Sequence, residues 1–455
     1  MLATPNLEGW SRRCNARGCV FLLAAVSLAL TLGATALFAG SAASFAPARN
    51  YGTGAEPVSV AIGDLNGDGN LDLATANDNA NGTVSVLVNR GDGSFRAKRD
   101  FRTGGGPFSV AIGDLNGDGK PDLVTADFVE DGAVSVLLNR GDGSFGARRD
   151  YATGGANSVA IADLDGDGKP DLATANSGAD SVSVLLNSGD GSFTARLDYA
   201  TGPVPEAVAI ADLDGNGKPD LATANSGANS VSVLLNSGDG SFKARLDYAS
   251  GRRPEAVAIG DLNGDGKPDL ATANYYANSV SVLLNMGDGS FETRLDYATG
   301  RHPEDVAIGD LNGDGKPDLA PANYFANSVS VLLNRGDGSF KARLDYATGT
   351  APWSVAIGDL NGDGKPDLAT ANPDAYSVSE LLNAPGLCTV QNLKGKTVPA
   401  AKRTIARATC RVGKIRRAYS KSVEKGRVIS QKPTFGAVLR GGGKVNLVVS
   451  RGRKS

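Results

Sequence analysis

Asp64-Leu65-Asn66-Gly67-Asp68-Gly69-Asn70-Leu71-Asp72 is the stretch that decides how this chain folds, because its oxygen-bearing positions return six more times. The further copies begin at Asp114, Asp163, Asp212, Asp261, Asp310 and Asp359, spaced by 50 residues once and by 49 thereafter. So long and regular a period marks a repeat architecture, in which each supersecondary unit is completed by its neighbours. Positions one, three, five and nine carry carboxylates or amides, and position seven offers a backbone carbonyl. Hard oxygen donors in that number suit Ca²⁺. Gly69 at position six permits the sharp, positive-φ bend that wraps a chain around an ion, and every copy keeps a glycine there.

The candidate ligands are therefore Asp64, Asn66, Asp68, Asn70 and Asp72; Asp114, Asn116, Asp118, Lys120 and Asp122; Asp163, Asp165, Asp167, Lys169 and Asp171; Asp212, Asp214, Asn216, Lys218 and Asp220. The last three copies add Asp261, Asn263, Asp265, Lys267 and Asp269; Asp310, Asn312, Asp314, Lys316 and Asp318; Asp359, Asn361, Asp363, Lys365 and Asp367. Each lysine enters only through its backbone carbonyl. Up to seven Ca²⁺ sites follow. An EF-hand opens the same way but needs a Glu at position twelve and flanking helices; here the twelfth places read Thr75, Thr125, Thr174, Thr223, Thr272, Pro321 and Thr370. The flanks Ser-Val-Ala-Ile-Gly and Asp-Leu-Ala-Thr-Ala-Asn are short and strand-like, so the ion sits between two strands. The competing reading is an Asn/Asp/Gly-rich turn without metal.

The 455 residues include 60 glycines and 6% aromatics, which fits many tight turns between short strands. The net charge of −3 hides a split. Residues 44–383 hold 25 Lys+Arg against 47 Asp+Glu, and residues 384–455 hold 18 against one. Most of the acidity is ligand charge that bound Ca²⁺ offsets. At the other end, Arg12, Arg13 and Arg17 precede an uncharged run from Cys19 to Gly40 that ends in Ser41-Ala42-Ala43. Residues 1–43 thus read as a signal peptide cleaved after Ala43, with an uncleaved signal-anchor as the alternative. Either form puts the repeats outside the cytoplasm, secreted or at the cell surface, and only the uncleaved form touches a membrane.

One unit reads clearly from Pro254 to Gly300. Its strands are Ala256 to Ile259, Asp269 to Asn274, Ser279 to Leu284 and Phe291 to Tyr297, with the Asp261 loop after the first. Four short antiparallel strands make a propeller blade. The seventh unit stops at Asn383 without a fourth strand, while the chain before the first unit, Ser44 to Gly54, matches the missing piece. The N-terminal segment is expected to complete the last blade and close the ring, removing an exposed edge. The fold class expected is an all-β seven-bladed β-propeller over residues 44–383, with a small α+β domain over 384–455. Pro321 removes a ladder donor, so the sixth blade is expected to be irregular there.

Residues 44–383 resemble the FG-GAP or VCBS-type repeats of bacterial surface proteins, whose fold is similar to the integrin α-subunit propeller. The resemblance rests on Asp261-Leu-Asn-Gly-Asp-Gly-Lys-Pro-Asp-Leu270 and on the Gly-Asp-Gly-Ser-Phe that follows each of the first six units. It implies Ca²⁺ in the loops on one face of the disc, with ligands met on the other. Strand alternation puts the second-to-third and fourth-to-first connections on that other face, where Arg252, Arg253, Tyr275, Tyr276, Arg301, His302, Tyr324, Phe325, Trp353 and Tyr376 are concentrated. Clustered aromatic and Arg side chains typify binding surfaces, the alternative being solvent-tolerated drift. A glycan or protein ligand is expected there.

Catalysis finds little support. His302 is the only histidine, and no Ser-His or Cys-His pair is available to it. Glu206, Glu255 and Glu304 occupy equivalent places in successive repeats, which favours a structural role over a glycosidase pair. The expectation is a monomeric, non-enzymatic adhesion or ligand-binding module, with a secreted calcium-dependent polysaccharide-degrading enzyme as the alternative.

Beyond Ala384-Pro385-Gly386, Thr397 caps a helix with Pro399 in its first turn and an apolar stripe of Ala401, Ile405 and Ala408. Strands are expected at Val428 to Gln431 and Lys444 to Ser450. This segment resembles a PASTA domain through Val390 to Thr397, Gly426 to Pro433 and Val445 to Gly452. Some family members contact peptidoglycan fragments and others do not. The resemblance and the basic charge imply association with peptidoglycan or an anionic wall polymer; nucleic acid is not expected of an exported chain.

Cys388 and Cys410 are the two cysteines outside the leader and bracket the expected helix. Export favours a disulfide between them, worth about 3 kcal/mol in the chain-entropy model. Mass spectrometry of the non-reduced exported protein should find neither thiol alkylatable; two alkylated cysteines would remove the bridge.

Overall fold

Each repeat begins with a strand set nearest the propeller axis, against the first strands of the neighbouring repeats. The computed structural model describes residues 43–128, 132–383, 388–407, 411–439 and 444–453. In the first repeat the strands are Pro57–Gly63, Asp72–Asn77, Thr83–Leu87 and Arg99–Arg102, joined antiparallel in that order. Six further four-stranded sheets are built alike, with inner strands Pro107–Gly113, Ala156–Ala162, Pro205–Ala211, Pro254–Gly260, Pro303–Gly309 and Ser354–Gly358. The sheets are called blades one to seven in chain order, and the architecture is that of a β-propeller. The leader, residues 1–42, lies outside the described residues. Among those described, no helix is long and apolar enough to cross a membrane.

Packing between blades explains why the second strand reads Asp-Leu-Ala-Thr-Ala-Asn so regularly. All six of its residues are buried in every blade, and its small alanines let the neighbouring sheet come close. Leu65, Ala74, Val84 and Val86 of blade one share a core with Val110, Leu123, Leu137 and Phe145 of blade two. Leu360, Ala369 and Val378 of blade seven share another with Val60, Leu73, Leu87 and Phe95 of blade one. Inner strands touch in sequence from blade one to blade seven and again from blade seven to blade one. A lone blade would leave both faces wet, so stability is collective.

The N-terminal segment supplies the outer strand of blade seven. Arg49–Gly52 pairs antiparallel with Ser377–Leu381, and Phe45 bridges Asn383. Tyr346 packs edge-on against Phe45 and donates its hydroxyl to the Ala43 carbonyl at 2.7 Å. Where every other third strand has valine in fourth place, blade seven has Glu380, fully buried and 3.5 Å from the Arg49 guanidinium directly opposite it.

Two strand expectations shift. The outer strand of blade five is Leu295–Ala298, not Phe291 to Tyr297. Phe291 instead forms an isolated bridge with Asn285 that closes the Gly-Asp-Gly-Ser turn, and the chain leaves the ladder before returning. In the C-terminal segment the helix Val398–Arg407 buries Ala401 and Ile405 against Val390, Leu393, Val428, Val445, Leu447 and Val449. Arg411–Ala418 forms an additional strand, parallel to Lys444–Ser450, that its charged sequence conceals. Ala408, Cys410 and the Cys388 side chain lie outside the described residues.

Pro321 does interrupt its blade. The ladder between the second and third strands is paired only at Ala322 with Val329 and Asn323 with Ser328, plus a bridge from Leu319 to Leu332. In the other six blades a threonine here donates to the Asn or Asp two residues on, as Thr75 does to Asn77 Oδ1 at 3.1 Å. In blade six Asn323 Oδ1 is buried without a partner. Pro321→Thr restores both a backbone donor and this hydroxyl, and should stabilise by about 1–2 kcal/mol. Calorimetry should show a higher unfolding temperature; an unchanged or lower transition would mean the blade has adapted to proline.

Candidate functional site

Each acidic loop follows the inner strand and is shaped by its own backbone. Asp64 at position one accepts N–H groups from Gly67 (2.8 Å) and Gly69 (2.8 Å), and Asn66 Oδ1 accepts from Asp68 N at 2.8 Å. Gly69 has φ +83°, as the wrapping bend requires. Asp72 at position nine turns inward: it is buried, with Oδ2 accepting from Leu65 N at 3.0 Å and Oδ1 from Asn89 N at 2.8 Å. Burial, with the neighbouring loop carboxylates, raises Asp72, Asp122, Asp171 and Asp269 to about 6, and Asp318 and Asp367 to about 7. Asp220 shifts upward for the same reasons. A nearby cation would favour the ionised form of these groups.

The side-chain amide of Asn89 reaches across to the Leu360 carbonyl of blade seven, and Asn139, Asn187, Asn236, Asn285, Asn334 and Asn383 make the same bond to the preceding blade at 2.6–2.9 Å. Loop and interblade contact are therefore one structure. Carboxylate oxygens of Asp163, Asp165 and Asp171, and of Asp212, Asp214 and Asp220, lie within 4.8 Å of one another. This donor chemistry fits a hard divalent cation. The lysine at position seven does more than lend a carbonyl. Lys120, Lys169 and Lys267 place Nζ 3.1, 2.6 and 3.6 Å from the position-five carboxylates Asp118, Asp167 and Asp265, so these loops carry an internal counter-charge. Asn70 takes that place in the first loop and donates to Asp68 at 2.8 Å.

The opposite face is asymmetric. The second position of each inner strand, or the residue just before it in blade seven, forms a ring at the axial mouth: Val58, Phe108, Asn157, Glu206, Glu255, Glu304 and Trp353. Asn157 donates to Glu206 at 2.6 Å, and Phe108 meets Trp353 with ring centroids 6.4 Å apart. From there the rings continue in contact. Trp353 lies 5.5 Å from Tyr324, Tyr324 4.9 Å from Phe325, Phe325 4.7 Å from His302 and His302 4.1 Å from Tyr275. Tyr276 follows at 5.0 Å, and Phe128 extends the other end through Phe108. Arg252 and Arg253 lie over Tyr276, and Arg301 over Phe325.

Nine of the ten expected residues on this face thus join one aromatic and cationic belt. Tyr376 stands exposed with no ring contact among the described residues. Phe108, Phe128 and the axial glutamates belong to the surface but escape a reading that follows only the connecting loops; aligning the repeats at their first strand would have exposed them. His302 is half-buried, not a free surface residue, and burial with Arg301 and Arg253 nearby lowers its pKa. Arg253 and His302 both adopt left-handed backbone, φ +56° and +54°, where blades two and three use Gly106 and Gly155. Glu56, Val204 and Ala351 share this conformation in their blades, so it belongs to the repeated turn, at about 1–2 kcal/mol for each non-glycine residue.

Burial raises Glu255 to about 7 and Glu304 to about 9, with the neighbouring glutamates adding to the shift and Arg253 opposing it. Arg253 forms an ion pair with Glu255 and donates to the Tyr276 hydroxyl at 3.1 Å.

The sequence matches the FG-GAP-like repeat over residues 64–125, 116–174, 163–223, 212–272, 261–320 and 322–370. Nearly every match runs from one acidic loop to just past the next, which is how seven loops yield six repeats. Residues 389–451 match the PASTA domain. A Clostridium acetobutylicum protein named "Probable serine/threonine-protein kinase" is 39% identical over 64 residues, covering 14% of this chain and 10% of that protein. The BP39L lectin from Burkholderia pseudomallei is similar in fold, with a TM-score of 0.58 and 16% identity over 73% of this chain and 97% of the lectin. BBS1N, solved in complex with ARL6DN, has a TM-score of 0.53 and 11% identity over 74% of this chain and 97% of its own. Repeat period, loop motif and blade construction agree with these matches: the chain belongs to the FG-GAP-like repeat family and carries a C-terminal PASTA domain.

Proposed function

We propose that this is an exported, calcium-stabilised ligand-binding module, a closed seven-bladed propeller whose belted face takes a glycan or protein and whose tail associates with peptidoglycan or an anionic wall polymer. The observation that carries the reading is the continuous belt from Phe128 to Tyr276, with three arginines laid on it. Aromatic and Arg side chains dominate binding energy wherever they cluster, and flat rings offer a stacking surface to sugars. The lectin of similar fold supports a glycan as the first ligand to try. The leader and the PASTA match support a place outside the cytoplasm.

Calcium belongs to the scaffold in this reading. The loop oxygens would hold it, and bound ion supplies positive charge beside buried carboxylates while leaving the Asn bridges to join the blades. Affinity per site is expected on the order of 10⁻⁴ to 10⁻³ M, the extracellular range. At about 10 mM Ca²⁺ each occupied site then adds ~1.4–2.7 kcal/mol. Calorimetry should give a higher transition in calcium than in chelator; identical transitions would reduce the loops to turns.

For the ligand face, the purified protein on a glycan and protein array should retain a defined set of ligands, and Tyr275→Ala or Trp353→Ala should weaken retention ~10-fold or more, equivalent to ~1.4 kcal/mol. Retention unaffected by both substitutions would place the site elsewhere. Calcium-dependent release of soluble products from a polysaccharide would replace binding with hydrolysis.

A further inference from the structure

The three axial glutamates are not equivalent. Glu206 accepts from Asn157 at 2.6 Å and from the Ser226 hydroxyl at 2.9 Å. Glu255 is paired with Arg253. Glu304 is 8% exposed and has no hydrogen-bond donor among the described residues. Its side chain is largely buried while the carboxylate oxygens still meet solvent, so the group is poorly hydrated yet open to a ligand, and a proton or a cation relieves the cost of its charge.

What surrounds Glu304 favours a cation. Tyr275 and Tyr324 both feel its charge, which helps raise their pKa values behind the larger effect of burial. Trp353 meets Tyr324 edge-on. Next door, the molecule's own chemistry shows how such a place is filled: the Arg253 guanidinium lies 4.9 Å from the Tyr275 ring and 5.1 Å from that of Tyr276 while pairing with Glu255. Aromatic faces and a carboxylate together recognise ammonium as well as guanidinium.

We infer that Glu304, flanked by Tyr275, Tyr324 and Trp353, recognises the free ammonium group of an amino sugar. The inference rests on the glycan reading of this face and narrows it: the rings stack on the pyranose, and Glu304 selects an amine over its acetylated form. Burial and the neighbouring glutamates raise the Glu304 pKa, and a bound ammonium favours its ionised form, so binding should release a proton. The charged and titratable groups facing Glu304 are Glu255, Glu206, Asp305 and Arg253, with Tyr275 and Tyr324 beside them.

The test is calorimetric titration of the full chain in calcium at pH 6 with a glucosamine hexamer and an N-acetylglucosamine hexamer. The glucosamine hexamer should bind ~10-fold tighter or more, a difference of ~1.4 kcal/mol. Repeated in buffers of different ionisation enthalpy, its binding should release up to one proton. Glu304→Gln should abolish the preference and the proton release, while Tyr275→Ala should weaken both ligands. The Glu304→Gln protein should also lose the fall in stability between about pH 5 and pH 9 that a carboxyl with a raised folded-state pKa imposes, and so should melt no lower than wild type at pH 8. Equal affinity for the two hexamers, or a preference surviving Glu304→Gln, overturns the inference and leaves the glycan reading standing. Failure of the glucosamine hexamer to bind overturns the inference, and an array without glycan hits overturns the parent reading as well.

Discussion

The buried aspartate that ends each acidic loop is the constraint from which the rest of the propeller follows. Asp72 ties the N–H of Leu65, at the loop's start, to the N–H of Asn89, at the end of the third strand. With Asn89 held, its amide can only reach sideways, to Leu71 and Leu360. Seven repetitions of this arrangement turn a local loop into a ring of interblade bonds. The carboxylate has to be buried to do this, and its raised pKa records the cost. A cation in the loop would act on the same group, and its binding would then be coupled through one side chain to interblade geometry and to the hydrophobic cores between blades.

That coupling explains the division of labour between the two faces. The loop face is repetitive because every copy has to solve the same problem, and a change in one position-nine aspartate would disturb two blades. The opposite face carries no such duty. Its first-strand positions run from Val58 and Phe108 through Asn157 to three glutamates and Trp353, a variety that sevenfold construction alone does not require. Left-handed backbone at Arg253 and His302 is tolerated there because the preceding turns are pinned, Arg253 N to Asn229 and His302 N to Asn278, at 2.7 and 2.8 Å.

Much of this was legible in the residues. The nine-residue motif, its period and the orphaned Ser44 to Gly54 segment were sufficient for blade construction and for the strand that completes blade seven, because those features depend on local spacing. Pro321 was legible for the same reason. What escaped depends on contacts between distant residues. Lys120, Lys169 and Lys267 look like carbonyl donors until their ammonium groups are seen on the position-five carboxylates. Glu304 looks like one of three equivalent glutamates until its neighbours find partners and it does not. The strand Arg411–Ala418 was hidden because its charges suit solvent on one side and its pairing is parallel, with no hairpin signal to announce it.

The pairing of Arg49–Gly52 with Ser377–Leu381 joins residues some 330 positions apart. The partner strand of Arg49–Gly52 is thus made only after the other six repeats, and no earlier repeat offers a matching acid: Glu380 stands where the preceding third strands have valine. An arginine opposite such a valine is tolerated, as Arg99 opposite Val86 and Arg149 opposite Val136 show, so Glu380 adds an ion pair at this seam without being needed to exclude the other sheets. Completion of blade seven therefore waits until the final repeat has been synthesised. The two ends of the repeat region meet in one sheet, and a single buried glutamate marks the seam.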